Sequence, residues 1–207
     1  MTVKLTNVFA DVSSNNGPIN LVTYRAAGHC LIAIKATEGT GYENPYYAKW
    51  VAECKNMSII HYHFADLTGT PEAEAAHFVT VANPLTGPHD YLAVDIERAA
   101  LAGWQADPAW CAAFDKYVQA HTRFFTILYA SASTLKQSDQ WLDSPKKRVW
   151  DADWTGSDPD YAPPGYQCVI RQRSGGAESL PGIGRCDVNE ARGQFWTDVK
   201  AAHNAKK

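Results

Sequence analysis

The chain has 207 residues, 45% of them hydrophobic, and 19 basic against 22 acidic side chains give a net charge of −3. That composition suits one globular domain, and its slightly acidic balance excludes the basic footprint of a nucleic-acid or anionic-membrane surface. No run reaches the roughly 18 apolar residues of a membrane span, and Met1-Thr-Val-Lys-Leu-Thr-Asn-Val-Phe-Ala10 holds no apolar leader, so synthesis in the cytosol without a signal peptide is expected.

Short apolar runs alternate with helical patterns along the chain. Strands are predicted at 8–12, 31–35, 59–64, 91–97, 125–130, 148–152, 168–171 and 185–188. Asn44-Pro45 is predicted to cap a helix with the stripe Tyr47, Trp50, Val51 and Cys54. Thr70-Pro71-Glu72 opens a second helix with an acidic first turn, and Asp107-Pro108 opens a third carrying Trp110, Ala113, Phe114, Tyr117 and Val118. From Glu190 onward, Phe195 and Val199 recur four apart, while 153–167, rich in Pro, Gly and Asp, reads as loop. No repeat or linker divides the sequence. The expectation is an α/β fold: a single compact (β/α)-barrel of the TIM type over 1–207, with some helices missing or shortened.

Tyr91-Leu-Ala-Val-Asp95-Ile-Glu97 ends an apolar strand in two acids. Side chains two apart on a strand share a face, and the C-terminal strand ends are where barrels keep their chemistry. Two acids held close cannot both ionise freely, so one becomes a proton donor near neutral pH. Asp11 ends the first predicted strand, and Asp187 and Asn189 end the last. In a closed barrel those strands are neighbours, which brings Asp11 and Asp187 together and sets Asp95 and Glu97 across the same mouth. His61 and His63 share the opposite strand face from Tyr62 and Phe64, so packing or hydrogen bonding is expected of them rather than a zinc site. The five cysteines (30, 54, 111, 168 and 186) form no Cys-x-x-Cys, so reduced thiols are expected, with Cys168 and Cys186 the one pairing worth checking.

Asp11-Val-Ser-Ser-x-x-Gly17, Ile34-Lys-Ala-Thr-Glu-Gly39 with Asn44-Pro45, Tyr62-His-Phe-Ala65 with Glu72-Ala-Glu74, Asp95-x-Glu97 and Asp187-x-Asn189 follow one another in this order. Taken together, this series resembles glycoside hydrolase family 25, the Chalaropsis-type lysozymes, which include many phage endolysins. The resemblance runs from Val8 to Asn189 and departs late. The family usually has Trp-x-Ala-x-Tyr at the sixth strand, where this chain reads Trp150-Asp-Ala-Asp-Trp154, and Trp-Gln-Tyr at the seventh, where the segment is Cys168-Val-Ile-Arg-Gln-Arg173. The resemblance implies N-acetylmuramidase activity on the β-1,4 bond between N-acetylmuramic acid and N-acetylglucosamine, with no cofactor and no metal.

Glu97 would then be the general acid. Asp95 could orient the substrate's acetamido group for internal attack, or Asp187 could act as nucleophile or oxocarbenium stabiliser. The reading favours Asp95 as helper, with Asp11 and Asp187 in support. Tyr62, Tyr129 and Trp154 are candidates for the sugar wall, and Lys35 and Asn189 for polar contacts. The implied partner is a peptidoglycan glycan strand, bound by a monomer through the catalytic cleft without a separate wall-binding module and reached after release from the producing cell.

Two rivals remain. Family 18 chitinases also end a strand in Asp-x-Glu, but their fuller Asp-x-x-Asp-x-Asp-x-Glu would need an acid where this chain has Ala93. A non-catalytic wall-binding or phage tail module on a decayed barrel is the other, and it would be favoured by loss of Asp95 or Glu97, both of which are present.

Overall fold

The computed structural model describes residues 3–97, 107–156 and 160–206. Strands β1 (Val8–Val12), β2 (Leu31–Glu38), β4 (Ser58–Phe64), β5 (Tyr91–Asp95), β6 (Thr126–Ser131), β7 (Arg148–Ala152), β8 (Gln167–Leu180) and β9 (Gly184–Ala191) form a ring closed by pairing of β1 with β2. A two-residue strand, β3 (Tyr42–Glu43), lies antiparallel on the end of β2.

Side-chain alternation sorts the strand residues into two shells. Phe9, Leu31, Ala33, Ile60, Tyr62, Ala93, Ile127, Tyr129, Trp150 and Ile170 fill the barrel interior. Ile32, Ile34, Leu92, Val94, Leu128 and Ala130 point outward against Trp50, Phe78 and Phe114 of the surrounding helices. Strands apolar on both faces produce the continuous hydrophobic runs of the sequence. Each buried large side chain contributes roughly 1.5–3 kcal/mol.

The helices are α1 (Leu21–Ala26), α2 (Tyr47–Glu53), α3 (Pro71–Ala82), α4 (Pro108–His121), α5 (Ala132–Leu135) and α6 (Gly193–Ala205). Thr70 and Asp107 cap α3 and α4 as predicted, their side chains accepting from the backbone N–H of Ala73 and Ala109. Asn44 does not cap α2. Its side-chain oxygen accepts from the Tyr46 N–H and its amide donates to the Lys35 carbonyl, so it ties the approaching loop to β2 one step before the helix begins. No helix joins β7 to β8 among the described residues, in line with a barrel short of its full helix set; of the expected 153–167 loop, 157–159 lie outside the described residues.

The last strand departs from the simple barrel expectation. Seven strands run parallel, whereas β9 runs against both β8 and β1. β8 and β9 make a long hairpin, and Gly182 at its turn has φ +80 and packs so tightly on α1 that a Cβ would lie 2.2 Å from the Asn20 carbonyl oxygen. The reversal means that Asp187 does not end its strand; it lies in the first half of β9, level with Asp11. At the opposite end of the barrel, Phe195 and Val199 of α6 join the interior core, and the Phe195 ring lies 4.6 Å from that of Tyr91. That end is therefore plugged, and the C-terminal ends of the parallel strands are left to form the cleft.

Candidate active site

Asp11, Ser13, Asn15, Lys35, Tyr62, Phe64, Asp95, Glu97, Tyr129, Trp150, Gln172 and Asp187 line the cleft at the open end of the barrel. The four acids picked from the sequence thus arrive on three strands and one strand exit. β5 stops at Asp95, so Glu97 lies just beyond the strand rather than on its face. The chain turns there because the Asp95 carboxylate accepts the Glu97 N–H at 3.0 Å, a local bond that competes with the strand ladder. Glu97 is half-buried, whereas Asp11 and Asp95 are 9% and 8% exposed.

The electrostatics follow from this crowding. Burial, and then the charge of neighbouring Glu97, pushes Asp95 well above the usual carboxylate range. Burial and then Asp187 raise Glu97, and burial raises Asp187 against a bond from the Gly176 N–H. Asp11 rises to about 7, chiefly through burial and then through Asp187, although the amides of Asn189 and Gln172 favour its anion. A cluster of this kind holds some carboxyls protonated at neutral pH while leaving others ionised, which is the requirement for acid catalysis beside an anion.

Lys35 provides the positive charge of the cleft. It pairs with Glu38, lies over the Phe64 ring at 4.4 Å, and draws Asp95 and Glu97 back toward ionisation. Tyr62 and Tyr129 stand on the interior faces of β4 and β6 and line the cleft. Trp154 is 59% exposed at the rim, its indole packed so closely on Gly175 that a Cβ there would lie 2.7 Å from the ring, and its N–H donates to Gln172 Oε1 at 2.7 Å.

Asn189 is completely buried and does not line the cleft. Its amide donates to Asp11 Oδ2 at 2.7 Å and its oxygen accepts from the Trp150 indole at 2.8 Å, so both ends are used to hold other side chains. Phe64 lines the cleft beside Tyr62, on the strand face opposite His61 and His63, whereas Gln172, Trp150, Ser13 and Asn15 were not among the candidates legible in the sequence. Gln172 stands two residues beyond inward-facing Ile170, so extending the predicted strand past Arg171 would have found it.

His61 and His63 face outward beneath the helices, and each spends both ring nitrogens on protein groups: Tyr47 and Asp90 for His61, Thr37 and Glu74 for His63. Among the described residues no set of three or more metal-ligating side chains converges. All five cysteines are free thiols, Cys168 and Cys186 included.

The chain superposes on the bacterial lysozyme of Streptomyces coelicolor with a TM-score of 0.78 at 23% identity, covering 99% of both chains. A family 25 glycosyl hydrolase from Bacillus anthracis gives 0.73 at 19% identity, over 90% of this chain and 88% of that one. The CTP1L endolysin gives 0.73 at 22% identity, over 94% and 69% respectively. No curated protein sequence matches significantly. These likenesses are of fold, and the sequence itself supplies the rest: residues 10–174, which carry Asp11, Asp95 and Glu97 to the cleft, match the model of Glycosyl hydrolases family 25, and the chain belongs to that family.

Proposed function

We propose that the protein is a peptidoglycan N-acetylmuramidase that hydrolyses the β-1,4 bond between N-acetylmuramic acid and N-acetylglucosamine. The observation that carries the reading is the convergence of Asp95 and Glu97 with Asp11 and Asp187 in one cleft, in a chain of this family. Glu97 is the general acid: it is the acid past the strand end, half-exposed toward incoming substrate, with its proton retained by burial and by Asp187. Asp95, pinned by the Glu97 N–H, orients the acetamido group of the sugar. Asp11 and Asp187 tune the charge, Tyr62, Tyr129 and Trp154 offer ring faces, and Lys35 makes a polar contact. Asn189 acts from beneath by holding Asp11 rather than by touching sugar.

The finer biological reading is a phage endolysin, monomeric, that reaches the wall after release from the cytoplasm. Its support is the likeness to an endolysin among the solved structures. Digestion of purified peptidoglycan followed by mass spectrometry of the muropeptides tests the bond assignment. Fragments with N-acetylmuramic acid at the reducing end are expected, and reducing-end N-acetylglucosamine would overturn it.

A further inference from the structure

Gln172 is 2% exposed and sits among three of the cleft's working groups. Its amide nitrogen donates to Asp11 Oδ2 at 3.2 Å, and its oxygen accepts from the Tyr129 hydroxyl at 2.9 Å and the Trp154 indole at 2.7 Å. An indole N–H can only donate, so the amide oxygen has to face Trp154 and Tyr129. The Tyr129 oxygen also lies 3.4 Å from Glu97 Oε2. A phenol has one hydrogen, and 3.4 Å is long for an O–H···O bond whereas 2.9 Å is ordinary. The hydrogen therefore goes to Gln172, and the face of the Tyr129 oxygen left for Glu97 is a lone pair. A lone pair welcomes a protonated carboxyl and opposes a carboxylate.

We propose that Gln172 is a positioning residue that keeps Glu97 in its proton-donating form by capturing the Tyr129 hydrogen. The assignment rests on Glu97 as the acid of the proposed reaction. Without the Gln172 carbonyl, the Tyr129 hydroxyl is free to turn and donate to Glu97, which stabilises the anion. The other groups facing Glu97 are Asp187 from β9, Lys35 from β2, Asp95 from β5 and Asp11 from β1. Asp187, Lys35 and Asp95 keep their partners in the variants that test the idea, whereas Asp11 loses the Gln172 amide, an effect that does not depend on the Tyr129 hydroxyl and is therefore separated by adding Tyr129→Phe.

Carbon-13 NMR of the Glu97 carboxyl, titrated in the folded protein, reads the effect without reference to activity. In Gln172→Met, and equally in Gln172→Leu, the Glu97 titration is expected to fall by about one pH unit, the size of one hydrogen bond to a charged group. The alkaline limb of the lysis profile falls with it. Adding Tyr129→Phe to either variant restores the titration toward the wild-type value, because no hydroxyl remains to donate.

Trp154→Phe, at an exposed position, leaves the Tyr129–Gln172 bond intact and keeps Glu97 at or above its wild-type titration. No fall in the Gln172 variants, a fall that survives Tyr129→Phe, or a fall in Trp154→Phe overturns the proposal. Absence of peptidoglycan cleavage by the wild-type protein would instead strike the muramidase reading and leave the NMR result standing by itself.

Discussion

Asp11 and Asp187 are register partners across the antiparallel seam between β1 and β9. Directly paired residues on neighbouring strands hold their Cβ atoms about 5 Å apart, so the fold places two carboxyls side by side in a site where burial already penalises charge. The seam exists because β9 turns back along β8 instead of crossing over a helix. Reversing the last strand thus supplies a carboxylate neighbour that a uniformly parallel barrel would place elsewhere.

Burial of Asp11, and then this neighbour, cost stability at neutral pH. Asp11 titrates near 7 in the fold against an ordinary value of 3.8, so between those values the native state holds more protons than the unfolded chain. The stability contribution is therefore complete below about pH 4 and is lost as pH rises through 7. Asp11→Asn keeps the shape and still accepts from Asn189 and Gln172. It is expected to raise stability at pH 8 by on the order of 2 kcal/mol, or roughly 4–8 °C in Tm, and to change little at pH 4. Thermal unfolding at the two pH values measures this, and an equal effect at both would contradict it.

Glu74 is expected to be the most sensitive position outside the cleft. It is completely buried, accepts the N–H groups of Asp66 and Gly69, and lies 3.0 Å from His63 Nε2. Burial pushes His63 down to about 3 and raises Glu74 to about 7, so the pair shares one proton rather than standing as two free charges. Glu74→Gln replaces one acceptor by a donor facing donors. A loss of about 1–3 kcal/mol is expected by denaturant unfolding at pH 7, and an unchanged midpoint would show that the 65–70 loop is held by other contacts.

Lysis should be indifferent to EDTA. His61 and His63, the residues that could suggest zinc, are committed on both ring nitrogens to Tyr47, Asp90, Thr37 and Glu74. Turbidity clearing before and after chelation and zinc addition checks this. Activity lost to EDTA and restored by zinc would contradict it.

Hydrolysis should proceed with net retention at the anomeric carbon. Asp95 is fixed by the Glu97 N–H on the same side of the cleft as Glu97, which suits a helper and an acid acting on one sugar better than two acids flanking a water. Proton NMR of the first-formed reducing sugar, taken before mutarotation, should show the β-anomer. An initial α-anomer would remove Asp95 from the helper role.

Much of the fold was readable because two-sided burial writes itself as apolar runs. Strands β1 and β7 match the predicted 8–12 and 148–152. β8 extends far beyond 168–171 because its outer stretch, which includes Arg173 and Glu178, pairs with β9 as a hairpin and carries no hydrophobic signal, while β9 runs on past 188 through residues 189–191, held by pairing with β1 and β8. Strand direction was equally hidden, since alternation is the same read either way. The acids Asp11, Asp95, Glu97 and Asp187 were legible from motif and position. The cleft-facing place of Gln172 follows from strand alternation beyond Arg171, but its role was hidden because its three partners at 11, 129 and 154 are brought together only by the folded barrel.

The most direct test of the account is Glu97→Gln, which removes the proton donor while keeping shape and volume. Peptidoglycan clearing by the purified variant, followed with muropeptide mass spectrometry, is predicted to fall by roughly two to four orders of magnitude, with thermal stability close to that of the wild type. Near-wild-type release of fragments ending in N-acetylmuramic acid would contradict the assignment of Glu97, and with it the chemistry proposed for the cleft.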